Sequence, residues 1–196
     1  RDLRVLRGKV AEVIGVDIDP VVTTNPSLDR ALVIDEDGPL PFEDGSIDLV
    51  VSDFCFEHLR HPDLAARELT RILRPGGWLC ARTPNRWGYI GVGARLVPNR
   101  LHTPLLRRLQ PARQAHDVFP TAYRLNTRRA LRHHFPAEAF IDVSYMHNGM
   151  PAYFGHSVLA SRTARVVLRH APDSLSSLLF VFLQRRKPAN IEDDGT

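Results

Sequence analysis

The stretch Ile47-Asp48-Leu49-Val50-Val51-Ser52-Asp53 decides the fold. Its apolar, β-branched run reads as a strand buried on both faces, as strands of parallel sheets are. Leu40-Pro41-Phe42 stands before it, and Arg74-Pro75-Gly76-Gly77 comes after it. Between the strand and that turn lies a segment with helical spacing of its apolar residues. Strand, acidic end, helix, glycine turn and second strand is the order of an α/β sheet. Open sheets of that kind bind small molecules at the carboxyl edge of their strands.

Upstream, residues 11–17 read as a buried strand, nearly free of charge until Asp17. Ala31-Leu32-Val33-Ile34 is a short apolar strand running into Asp35-Glu36-Asp37-Gly38. Pro20, Pro26 and Thr23-Thr24-Asn25 make the intervening segment irregular, with at most a short helix near 26–31. Residues 1–9 read as the tail of an amphipathic helix, with Leu3 and Leu6 on one face and Gly8 ending it.

Downstream, the spacing predicts a helix from Pro62 to Arg74. Pro62 and Asp63 suit its first turn, and Ala65, Leu69, Ile72 and Leu73 make its apolar face. Pro75-Gly76-Gly77 should stop it before a strand over 78–83. Residues 86–120 are interrupted by glycine, proline and arginine, with helical spacing only over 101–109; such an insert reads as a functional cover. A helix over 126–135 follows, capped by Asn126 or Thr127. Then come a strand over 140–145, a basic amphipathic helix over 157–169, and a strand over 178–183.

The chain has 196 residues, 43% of them hydrophobic, which supports one sizeable domain, drawn here as 1–188 with a disordered tail at 189–196. No apolar run approaches the roughly 20 residues of a membrane-spanning helix. The charged start lacks a signal-peptide core and a Met, so a fragment or a processed end is expected. Two cysteines, Cys55 and Cys80, form no disulfide framework or zinc spacing and fit a reducing cytoplasm. The net charge of +4 is mostly arginine, gathered in 95–113, 124–132 and 162–169. Solvated helix faces account for it better than a nucleic-acid partner, for which no motif is present. Arg162, Arg165 and Arg169 beside Val158, Val166 and Val167 would allow peripheral membrane contact. The oligomeric state is not legible.

Taken together, Val13-Ile14-Gly15-Val16-Asp17, Leu40-Pro41-Phe42, the Ile47–Asp53 strand and the Pro75-Gly76-Gly77 turn resemble the class I S-adenosylmethionine-dependent methyltransferases. The resemblance is to the type 11 group, which includes the ubiquinone-pathway O-methyltransferases, and it spans roughly 1–188. It implies a Rossmann-like sheet with helices on both faces and an antiparallel final strand. It implies S-adenosylmethionine as cofactor and methyl transfer to a small-molecule or lipid-like acceptor. Asp17, with Ile18 beside it, would meet the ribose diol. Asp35 or Glu36 would receive the adenine amine, and Ser52 and Asp53 would lie under the methionine part.

The first strand and glycine-rich loop of that family are not found in this sequence. The expectation is therefore a gap or re-pairing beside 11–17 and 47–52, poor cofactor binding, and an inactive fragment. A non-catalytic scaffold domain is the alternative reading. An NAD-dependent oxidoreductase shares the logic of Asp17 but leaves the Leu40–Asp53 pattern and the Pro-Gly-Gly turn unexplained.

Other residues carry weaker signals. Phe54 could pack on the cofactor or in the core. Glu57-His58 matches a pair found in related methyltransferases; His58 could be a general base, though such a residue more often holds its loop. His58, His61 and Glu57 have no partner at familiar metal-ligand spacing. Cys55 lacks the preceding proline of cytosine-methylating enzymes and reads as a core thiol. The Asn/Asp-Pro-Pro-aromatic motif of amino-methylating enzymes is missing, which favours O-methylation or another small-molecule acceptor. Thr83-Pro84-Asn85 and His116-Asp117 resemble small-molecule members of the family, but each also reads as a cap or turn.

Overall fold

The computed structural model describes residues 5–89, 91–92, 120–148, 162, 166, 170 and 172–188. The helical piece at 101–109, His116, Asp117, most of the helix over 157–169 and the tail at 189–196 lie outside them. Contacts group the chain into two compact units, residues 1–41 and 42–196.

In the first unit, β1 (Ile14–Asp17) pairs in parallel with β2 (Arg30–Val33), from Ile14 opposite Arg30 to Asp17 opposite Val33. A 3-10 turn, Pro20–Thr24, starts on Asp19, whose side chain accepts the Val21 N–H. Residues 26–31, where at most a short helix is expected, form none. The Asn25 side chain instead accepts from the Ser27 N–H and hydroxyl, and β2 already begins at Arg30. Asp29 ties the unit together: one carboxylate oxygen takes the Val13 N–H and the other takes Arg7 Nε, both at 2.9 Å. Gly15 leaves room for Leu28, whose Cδ1 would lie 2.2 Å from a Cβ at position 15 and would have to turn aside.

The second unit is a mixed sheet in the order β3-β4-β7-β5, with β6 also on β7. Here β3 is Ile47–Asp53, β4 Leu73–Pro84, β5 Phe140–Asp142, β6 Tyr145–His147 and β7 Leu178–Arg185. β3 and β4 are parallel, while β7 runs antiparallel to β4, β5 and β6. The single strand expected over 140–145 is broken at Val143-Ser144. There the Asp142 carboxylate accepts the Ser144 N–H, and the Ser144 hydroxyl accepts the Phe182 N–H. Side chains thus replace the ladder where the strand bends.

Helix α1, Pro62–Ile72, ends two residues earlier than its spacing predicts, because Leu73 already pairs with Ile47. Regular pairing resumes at Trp78 opposite Leu49, so Arg74–Gly77 bulges out of the strand rather than standing before it. Gly76 has φ +84°, and a Cβ on Gly77 would lie 3.0 Å from the Asp48 carbonyl; both glycines are needed. Helix α2, Arg128–His134, starts on Thr127, whose hydroxyl accepts the Ala130 N–H at 3.1 Å.

Alternation along the strands assigns the faces. Leu79, Ala81, Leu179, Val181 and Leu183 are buried with Ala66 of α1, Leu131 and Phe135 around α2, and Phe140. The opposite face carries Leu49 and Val51 on β3, and Tyr145 lying flat on Phe180 with ring centres 5.3 Å apart.

Candidate functional site at the carboxyl edge

In the first unit the chain leaving β2 is bonded to the last residue of β1, as the Ile34 N–H donates to the Asp17 carbonyl at 3.0 Å. Asp17 therefore ends β1 and Asp35 follows β2 at the same edge of this parallel pair. The Asp17 carboxylate accepts the Asp19 N–H at 3.0 Å. The Gly38 N–H donates to the Asp35 carbonyl at 3.2 Å, closing a turn on which Asp35, Glu36 and Asp37 are exposed. Ile18, beside Asp17, is 46% exposed. Exposed carboxylates on adjacent strand ends can accept hydrogen bonds from a ligand rich in hydroxyl and amino donors.

In the second unit Asp53 closes β3, and its two carboxylate oxygens accept Arg82 Nε and an Arg82 terminal nitrogen, each at 2.7 Å. Asp53 holds the Arg82 pKa above its ordinary value through these bonds. The pair stays partly exposed, with the Asp53 side chain 58% accessible. The Arg82 guanidinium also lies 4.6 Å from the centre of the Phe54 ring. Phe54 has φ 54° and donates its N–H to the Arg82 carbonyl at 2.8 Å. It is 40% exposed, which removes the core reading for Phe54; the left-handed turn lifts the ring out onto the guanidinium. Cys55, expected in the core, is exposed for the same reason, since the chain has left the strand. The Ser52 hydroxyl oxygen is buried without a hydrogen-bond partner.

Past this turn the chain goes inward again. Glu57 is 5% exposed, and its carboxylate accepts the Thr83 hydroxyl at 2.9 Å. The Thr83 oxygen in turn accepts the Asn126 amide at 2.5 Å, and Asn126 also donates to the Pro84 carbonyl. Burial pushes the Glu57 pKa up, outweighing these hydrogen bonds. Asn126 is thus not the helix cap; Thr127 is. The Glu57 carbonyl receives two N–H groups, from Ala122 at 2.7 Å and Tyr123 at 3.0 Å. His58 Nδ1 lies 2.9 Å from the Pro120 carbonyl, and Arg124 donates to the Arg60 carbonyl at 2.8 Å. Residues 57–60 are zipped to 120–126 at the end of the sheet.

Sequence reasoning missed Arg82 and the Glu57-Thr83-Asn126 chain. Only the alternation along 78–83, which puts Arg82 and Thr83 on opposite faces, hinted at them. An open cleft of about 540 Å³ lies elsewhere, between the two helices, lined by Asp63, Arg67, Arg71, His134 and Arg185. Its arginines are already engaged, by Asp63, by Glu68 with Asp44, and by the Leu73 carbonyl.

Parallel strand pairs in both units, the second closed by an antiparallel strand, are those of an α/β fold. Residues 1–81 match the family described as the methyltransferase domain. Over 151 residues the chain is 27% identical to a malonyl-[acyl-carrier protein] O-methyltransferase of Methylococcus capsulatus, covering 74% of this chain and 49% of that protein. Over 85 residues it is 32% identical to an uncharacterized methyltransferase of Schizosaccharomyces pombe, covering 43% of this chain and 29% of the relative. The chain thus spans about half or less of the length of these curated relatives. Among solved structures, it matches a chain from the complex of the Haloferax volcanii Trm112 methyltransferase activator, with a TM-score of 0.56 at 20% identity. That match covers 95% of this chain and 77% of the other. A S-adenosylmethionine-dependent methyltransferase of Archaeoglobus fulgidus gives a TM-score of 0.54 at 12% identity, covering 94% and 80%. The fold is the Rossmann-like methyltransferase fold, and the match to the methyltransferase-domain family lies in residues 1–81.

Proposed function

We propose that this protein transfers a methyl group from S-adenosylmethionine to an oxygen of a small-molecule or lipid-like acceptor. The observation that carries the reading is the pair Asp17 and Asp35, which end β1 and follow β2 at one edge of that parallel pair. Asp17, flanked by Ile18, accepts from the ribose hydroxyls, while Asp35 or Glu36 accepts from the adenine amine. Ser52 and Asp53 hold the amino-acid part, Ser52 through a buried hydroxyl oxygen that has a hydrogen bond to give. The likeness to an O-methyltransferase supports oxygen as the accepting atom.

When bound, the donor supplies an already activated methyl on a sulfonium. What the chain has to do is orient the acceptor in line with that methyl and keep water away. Titration of the full-length protein with S-adenosylhomocysteine tests the reading. Asp17→Ala should weaken binding at least about tenfold, as loss of a hydrogen bond to a charged group does. Absence of binding heat in the unaltered protein, or full affinity in Asp17→Ala, would overturn it.

A further inference from the structure

We propose that the surface made by α2 and the end of β7 is a docking site for an acidic, amphipathic helix of another protein.

Positive charge is balanced in one part of the molecule and not in the other. Arg7, Arg30, Arg67, Arg71, Arg74 and Arg82 each lie against a carboxylate, at 2.5–3.2 Å. Arg124, Arg128, Arg185 and Arg186 instead donate to backbone carbonyls, those of Arg60, Ser144, Leu73 and Ala137. A carbonyl takes up a donor and leaves the full charge uncompensated. Arg129 and Arg132 are exposed on α2, with no carboxylate partner among the described residues. Between residues 124 and 142 the acids are Glu138 and Asp142, and Asp142 already accepts the Ser144 N–H.

Helix α2 keeps its cations against its own stability. Arg128 and Arg132 stand four residues apart and Arg129 and Arg132 three, spacings at which like charges repel. Arg128 and Arg129 also occupy the first turn, which holds no acid, at the end of a helix that favours negative charge. The arginines of α1 are matched within their own helix, Arg67 by Asp63 and Arg71 by Glu68. A pattern that breaks local rules on one helix and obeys them on its neighbour marks a place where the opposite charge arrives from outside.

Beside these cations lies a groove. The open cleft of about 540 Å³ between α1 and α2 is lined by Ala66, Ala139 and Phe140 as well as by Arg67, His133 and Arg185. Apolar side chains of an amphipathic helix fit such a groove, while acids flanking them meet guanidinium groups, whose planar forks suit carboxylates. Nucleic acid has no aliphatic side chains to place in the cleft. A membrane-binding face carries bulky apolar side chains to insert, whereas the exposed side chains of α2 are Arg128, Arg129, Arg132 and His133.

Full-length protein would be titrated with a synthetic helix bearing glutamates beside a leucine stripe, and with the same peptide carrying serines in place of the leucines. Binding of the leucine peptide should weaken with added salt, and at least about tenfold in Arg129→Glu, where a like charge faces the incoming acids. The serine peptide should bind at least about tenfold more weakly, its apolar anchors being gone. Arg129→Glu should melt no lower than the unaltered protein, because it puts an acid in the first turn and removes a like-charged neighbour of Arg132.

Absence of binding by the leucine peptide, or equal affinity in Arg129→Glu, would overturn the proposal. So would tighter binding of poly-uridylate or of phosphatidylglycerol vesicles than of the peptide, since either assigns the cations to another kind of partner. Equal binding of the serine peptide would remove the groove from the site and with it the amphipathic helix. A lower melting temperature for Arg129→Glu would show that the arginine serves the fold, and would also count as refutation.

Discussion

Residues 5–41 and the sheet of residues 47–188 are held by different physics. In the first region no described residue is buried, and β1 and β2 are kept together by their ladder and by Asp29, which clasps Val13 and Arg7. In the second, Leu73, Leu79, Leu125, Leu179 and Val181 are fully buried in one apolar cluster. Burial of such side chains contributes roughly 1.5–3 kcal/mol each, while exposed polar contacts contribute a kcal/mol or less. The acids read as gripping the nucleoside thus stand on the weaker region, and the strained loop with His58 is bolted to the stronger one. Local stability need not be uniform across a chain, and binding elements are drawn from its low end.

The largest expected effect sharpens this contrast. Leu79→Ala should cost about 2–5 kcal/mol in denaturant unfolding, because it opens a cavity in a filled core. Val16→Ala, at a half-exposed position of β1, should cost about 1 kcal/mol. Equal losses would break the comparison.

Thr83→Val comes next. It strips Glu57 and Asn126 of a buried partner and should destabilise by about 1–3 kcal/mol, visible as a lowered melting temperature. Glu57 itself makes stability pH-dependent. Its folded pKa lies above the ordinary value of 4.5, so the folded state holds that proton more tightly than the unfolded chain does. Its contribution is therefore complete below pH 4.5 and is lost as pH rises through the folded value. Unfolding free energies measured from pH 4 upward should show this declining component, and Glu57→Gln should remove it.

A smaller effect is expected for Asp29→Ala, about 1 kcal/mol, seen by hydrogen exchange at β1 and β2 amides with β4 and β7 protection unchanged. Loss of protection in β4 would mean that the two regions are not independent. The smallest is Asp53→Asn, where an exposed pair with Arg82 is weakened; a change of at most about 1 kcal/mol is expected.

Most strands were legible because their signal is local. The apolar runs at 14–17, 30–33, 47–53 and 178–185 were readable to within a few residues, as was the proline start of α1, while the cap on Thr127 was one of two candidates. Several side-chain pairings were not legible for one reason: the partners are distant in sequence. Asp53 meets Arg82 across 29 residues, and Thr83 meets Glu57 across 26 and Asn126 across 43. Phe54 and Cys55 look like core residues from composition, yet the left-handed turn at Phe54 carries them outward.

The order and type of elements, and the acids at the ends of the first strands, were thus set by hydrophobic period and turn chemistry, which act over a few residues. Strand pairing decided the rest. It determined which acid pairs with Arg82 and which carboxyl is buried beside Thr83. Those properties depend on what lies within about 3 Å, and only the folded chain brings such partners together.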